Sequence, residues 1–243
     1  MENIELLRQK ADGGDSRAQS RLGWLCLQGQ GVSKDYKAAI QWYEKAAEQG
    51  EMVAQYNLGS IYSQGLGIPK DPRAAFEWCS KAAEQGHVDA QLQLGFMYRK
   101  GLGVAQDNTE AARWYRKAAE QGLAEAEYRT GAMYYFGRGV SQDYAQAAYW
   151  YQKSAQQKYP DAACALGMMY LLGLQVPADK VTAYFWLSVA VKTGLKAWRF
   201  RFYRLVLTMF ISAGQRTEVD QKVMDFMMKA HCRKSSVFGG SAP

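Results

Sequence analysis

One period runs through most of this chain and fixes what it can fold into. Ala18, Ala54, Ala90, Ala126 and Ala162 stand 36 residues apart. The same step joins Gly23, Gly59, Gly95, Gly131 and Gly167, and Gly29, Gly65, Gly101, Gly137 and Gly173. It continues through Asp35, Asp71, Asp107, Asp143 and Asp179, through Ala39, Ala75, Ala111, Ala147 and Ala183, and through Trp42, Trp78, Trp114, Trp150 and Trp186. Six columns repeat five times without a gap. A regular period of about 20–50 residues marks a stack of one supersecondary unit.

The second copy shows what that unit is. Ala54, Leu58, Ile61 and Tyr62 lie on one face of a helix, and Ala75, Trp78, Cys79, Ala82 and Ala83 repeat the spacing on a second helix. Gly65 between them suits the left-handed residue that ends the first helix, and Gly67 lets the chain reverse tightly. Asp71 is placed to cap the second helix, with Pro72 at its first helical position. Gly59, Ala75 and Ala82 let the two helices approach closely, while Trp78 and Tyr62 fill the space between units. One such hairpin cannot bury its own apolar face, so the units must stack.

The ends depart from the pattern. Leu6, Leu7, Ala11 and Gly14 fall 36 residues before Trp42, Tyr43, Ala47 and Gly50, which reads residues 1–14 as a half-repeat, a single capping helix. Five repeats follow at 15–50, 51–86, 87–122, 123–158 and 159–194. Gln175 and Lys158 stand where other copies have glycine. Residues 195–233 read as C-terminal capping helices, and 234–243 as a disordered tail.

Charge and cysteines narrow the setting. The net charge is +7, but from Leu195 onward nine Lys/Arg face three acids, and the rest of the chain is nearly neutral. The basic character therefore belongs to one end, and nucleic acid is not an expected partner. Cys26, Cys79, Cys164 and Cys232 are irregularly spaced with no C-x-x-C, so they read as reduced thiols. The acidic, polar opening Met1-Glu2-Asn3-Ile4-Glu5 does not match a signal peptide, and no apolar run reaches membrane-span length. The expected compartment is the cytoplasm.

The loop Gly31-Val32 with Asp35, followed by Ala39, Trp42-Tyr43 and Lys45-Ala46-Ala47-Glu48-Gln49-Gly50, resembles the Sel-one-like repeat family, a relative of the tetratricopeptide repeats. Tetratricopeptide units have a period of about 34 and end on proline. The resemblance covers residues 15–194, and Ser212–Phe226 is similar to the closing helix found after such arrays. It implies an all-α, right-handed α-solenoid of five helix–turn–helix repeats with helical caps. It also implies an adaptor without a shared reaction. β-Lactam binding is associated with a cysteine-rich subgroup whose paired cysteines are missing here.

Plain structural roles account for most of the candidate sites. The Lys45, Lys81, Lys117 and Lys153 column reads as a solvated face pairing with Glu48, Glu84 and Glu120 three residues on. The glycine loops follow no strand and lack the G-K-[ST] ending of a phosphate loop. His87 and His231 stand far apart, and His231-Cys232 reads as part of the tail. No catalytic, cofactor or metal residues are assigned. First-helix positions that vary between copies are the partner-binding candidates, expected on the concave side: Arg21, Trp24, Asn57, Gln93, Phe96, Arg99, Arg129 and Tyr135. Plain exposure accounts for that variation equally well. The segment containing Trp198, Arg199, Phe200, Arg201, Phe202 and Arg204 interleaves cations with aromatics. It reads as a cap over the last unit or as a helix for a partner or a membrane surface.

The resulting expectation is a non-catalytic adaptor that holds a protein or peptide. Its alternatives are a membrane-surface regulator working through residues 196–211, or an enzyme of the β-lactam or peptidoglycan-binding type. No cofactor is expected, and the oligomeric state is open.

Overall fold

The computed structural model describes residues 4–194 and 198–235; for 198–200 and 229–235 it describes the backbone course alone. Among the described residues there are thirteen α-helices and no strand. They fall into two compact units, Met1–Gln121 and Gly122–Pro243.

The first unit holds α1 (Ile4–Asp12), α2 (Ser16–Gln28), α3 (Tyr36–Glu48), α4 (Met52–Gln64), α5 (Pro72–Glu84), α6 (Val88–Lys100) and α7 (Asn108–Glu120). The second holds α8 (Ala124–Phe136), α9 (Tyr144–Gln156), α10 (Pro160–Leu172), α11 (Lys180–Lys192), α12 (Trp198–Leu207) and α13 (Ala213–Ser235). The hairpins are α2/α3, α4/α5 and α6/α7 in the first unit, and α8/α9 and α10/α11 in the second. Within each unit the second helix of one hairpin packs on the first helix of the next, as α3 does on α4 and α9 on α10.

The turns follow from the repeated residues. Gly65 ends α4 at φ +74° and its N–H donates to the Ile61 carbonyl. Asp71 then caps α5, its Oδ1 accepting from the Arg73 and Ala74 amides at 2.9 and 3.0 Å, with Pro72 at the helix start. Asp35, Asp107 and Asp179 cap the other second helices in the same way, and Asp143 accepts from the Gln146 amide alone. First helices are capped less uniformly. Asp15, Glu51 and His87 accept from backbone amides, whereas Leu123 and Tyr159 make no side-chain cap. The two departures from glycine keep the backbone of the glycines they replace: Lys158 has φ +67° and Gln175 φ +56°. A non-glycine residue there costs roughly 1–2 kcal/mol.

Small residues build the seam inside each hairpin. A Cβ on Gly95 would lie 2.6 Å from Tyr115 Cδ1, and one on Gly131 would lie 2.7 Å from Tyr151 Cδ1. Tyr43, Cys79 and Leu187 press on Gly23, Gly59 and Gly167 in the same place. The Cys79 thiol is fully buried, and burial pushes it up to about 12. That is a packing cysteine, far from a reactive thiolate.

The C-terminal helices pack on the last hairpin. Leu207, Ile211, Val219 and Val223 are buried in one cluster with Trp186, Leu187 and Ala190. Phe226 of α13 meets the rings of Phe185 and Trp186 edge-on, and Lys158 Nζ donates to the Met227 carbonyl. Helix α13 runs through Ser235, two residues into the segment expected as tail; 236–243 lie outside the described residues. So do residues 1–3 of the front cap and 195–197, together with the side chains of His231 and Cys232.

Candidate interaction surface

The first helices carry the candidate positions, and three of these come together. On α2, Ser20, Arg21 and Trp24 stand three, four and seven residues after Arg17, which places the four on one face. With Glu51, Val53 and Asn57 from α4 and its cap, they line a groove of about 290 Å³. The Arg21 guanidinium lies 4.7 Å from the centre of the Trp24 ring. Glu51 is committed to capping, since its Oε2 accepts from the Ala54 amide at 2.6 Å. The groove thus offers two guanidiniums, an indole face and the Asn57 amide. Such a set can grip a carboxylate bidentately while an apolar side chain rests on the ring.

The other candidates stand elsewhere. Gln93, Phe96 and Arg99 share α6 and do not line this groove. Arg99 lies 5.4 Å from the Phe96 ring centre, and its Nε is buried without a hydrogen-bond partner. In the second unit Arg129 forms a 2.8 Å ion pair with Glu125 and lies over Tyr128. Tyr135 meets Phe136 and Tyr144 edge-on at 4.9 and 5.3 Å and packs against the core. Its position therefore serves packing.

Arg17, Ser20, Glu51 and Val53 were not among the candidates. The signal for two of them was present, because the column Arg17, Val53, Asp89, Glu125, Asp161 changes residue type as freely as those that were chosen. The columns of Ser20 (Ser20, Tyr56, Leu92, Tyr128, Cys164) and Glu51 (Asp15, Glu51, His87, Leu123, Tyr159) vary as well, but Ser20 is buried and Glu51 caps its helix.

The lysine column packs otherwise than its spacing predicts. None of Lys45, Lys81 and Lys117 pairs with the glutamate three residues on. Each instead lies over the tryptophan three residues before it, at 4.5, 4.0 and 4.2 Å from the ring centres of Trp42, Trp78 and Trp114. Lys153 does the same over Trp150 at 4.8 Å, and also meets the buried Glu127 at 3.4 Å. A partly buried indole face outcompetes a solvated carboxylate, because the lysine stem covers apolar surface there.

In the aromatic segment the side chains of Trp198, Arg199 and Phe200 lie outside the described residues. Arg201 and Phe202 are exposed. Arg204 is half-buried and donates to the Tyr184 hydroxyl at 3.3 Å, which in turn donates to Asp220 at 3.2 Å. This chain of contacts ties α12, α11 and α13 together. Among the described residues, no three His, Cys, Asp or Glu side chains gather as a metal site, and no helix is long and apolar enough to cross a membrane.

Comparison with known proteins agrees with this architecture. The model of the Sel1 repeat matches residues 16–51, 53–87, 88–123, 124–159 and 160–192. A crystal structure of a protective antigen present in uropathogenic Escherichia coli strains, displaying an SLR fold, superposes with a TM-score of 0.84 at 32% identity. It covers 99% of this chain and 52% of that one. A Sel1 repeat protein from Oxalobacter formigenes gives a TM-score of 0.71 at 38% identity, covering 74% of this chain and 72% of that one. The secretory immunoglobulin A-binding protein EsiB of Escherichia coli O6:H1 is 41% identical over 44 residues, 18% of this chain and 9% of that protein. This chain thus spans about half of the antigen's length and a small fraction of EsiB's.

Proposed function

The chain belongs to the Sel1 repeat family, and from that premise we propose that it is a non-catalytic adaptor holding a protein or peptide on the face of its first helices. Sel1 repeats are scaffolds that generally mediate protein–protein contact, and the residues that recur here serve turns, caps and seams. The observation that carries the reading is the groove of Arg17, Arg21, Trp24, Val53 and Asn57. It is built from columns that the scaffold leaves free to change, and it joins a tryptophan and arginines, the side chains that dominate binding energy at protein interfaces. EsiB, similar to this chain over 44 residues, is a secretory immunoglobulin A-binding protein, which is the same kind of use.

The triple variant Arg17→Ala, Arg21→Ala, Asn57→Ala tests the assignment and leaves Trp24, which also packs on the core, in place. Tagged intact and variant chains are compared in pull-downs from the native cell, and the recovered partner is titrated against both. The expected result is binding weaker by about thirtyfold or more, the size of one interface hot spot, at an unchanged melting temperature. Equal affinity of the two chains would move the binding surface away from α2 and α4.

A further inference from the structure

Helix α12 has two apolar faces, and the array uses one of them. Leu207 and Ile211 point into the core beside α11. On the other side Phe202, Leu205 and Met209 follow at spacings of three and four, with relative exposures of 54%, 61% and 80%. Past the helix end the chain continues in tight turns, the Thr208, Met209 and Phe210 amides donating to the carbonyls of Leu205, Val206 and Leu207. This carries the apolar side on to Phe210, which is 60% exposed. A cap needs only its inner face to be apolar. An outer row of large hydrophobics costs solubility unless something covers it.

Charge identifies what would cover it. From Lys180 to Thr217 the chain contains seven Lys/Arg and no acidic residue. Exposed Arg201 belongs to the outer side of α12, and Lys180 reaches over the Phe210 ring at 4.5 Å. The acids that follow on α13 are engaged: Glu218 with Lys222, Asp220 with Tyr184 and Asp225 with Gln221. A second copy of this chain would bring the same cationic segment against itself, at a repulsive cost. We propose that the outer face of α12 and its following turn, Phe202 to Phe210, docks on an anionic phospholipid surface. The apolar side chains enter the acyl boundary and the surrounding cations meet the headgroups, as in helices that lie in the interface plane. This contact does not rest on the reading of the first-helix groove.

Flotation of the full chain tests the proposal, with vesicles of phosphatidylcholine alone and with about one-third phosphatidylglycerol, the charge that polybasic segments sense. The intact chain floats with the anionic vesicles and not the neutral ones, and flotation weakens as salt screens the headgroups. The variant Phe202→Ser, Leu205→Ser, Met209→Ser keeps its helical signal and melting temperature, because these side chains touch solvent. Its partitioning falls by about tenfold or more, since three apolar side chains no longer leave water. Failure of the intact chain to float with anionic vesicles overturns the proposal, as does flotation unchanged in the variant. A self-association that the variant abolishes, without vesicle binding, assigns the face to a second copy instead.

Discussion

A glycine inside a helix normally weakens it, by roughly 1 kcal/mol relative to alanine. Gly95 sits in the middle of α6, and the same column recurs in every repeat. The reason lies twenty residues on, where the Tyr115 ring occupies the space a Cβ would need. Gly95→Ala therefore gains helix propensity and loses more to overpacking, which costs about 1–3 kcal/mol in a tight core. The expected net effect is a loss of about 1 kcal/mol, read as a lower denaturant midpoint at unchanged slope. A gain in stability would show that the Tyr115 ring moves aside freely. The glycine was legible in the sequence as a small-residue seam; its partner was not. That column reads Tyr43, Cys79, Tyr115, Tyr151 and Leu187, so it conserves a place in space while changing residue type. Periodicity finds identities more readily than it finds volumes.

At the scale of helices, the hairpins are stitched by buried amides. Gln55 donates from Nε2 to the Ala47 carbonyl at the end of α3, and its Oε1 accepts from Gln85 at the end of α5. Gln19 with Gln49, and Gln91 with Gln121, repeat the arrangement. Each such glutamine satisfies a carbonyl that a helix end leaves open. These residues do recur every 36 positions, but amides in a helix read as surface until the neighbouring hairpin is placed. In the fourth repeat the column holds Glu127, 1% exposed, accepting from Gln157 at 2.8 Å. Burial raises its carboxyl above the usual range, and Lys153 and Gln157 offset part of that. A carboxyl raised on folding contributes stability that is present below its unfolded value and lost as pH rises through the folded one. Glu127→Gln should therefore stabilise the protein at pH 7 by roughly the worth of one hydrogen bond, about 1 kcal/mol. The advantage should shrink as pH falls into the carboxylate range. Thermal melts of both chains across that range check it; a variant less stable at neutral pH would mean that the Lys153 pair outweighs the burial.

For the whole chain, an all-α solenoid was written in its columns. What covers the last hairpin was harder to read, because α12 and α13 repeat nothing and their inner and outer apolar residues look alike in sequence. Leu207 and Leu205 differ only in where the helix turns them, one buried and one exposed. The caps matter because repeat arrays are held by neighbour contacts, so that stability is roughly a sum of units and interfaces. Val223 of α13 is fully buried against the last hairpin. Truncating it to alanine removes two methyl groups and leaves a cavity, costing about 2 kcal/mol. If the neighbour rule holds, that loss stays local. Hydrogen exchange of Val223→Ala should speed up in α10 and α11 while amides of α2 to α5 keep their rates. Uniform acceleration across all these helices would instead show that the chain opens as a single cooperative body, and the cap would then stabilise every repeat at once.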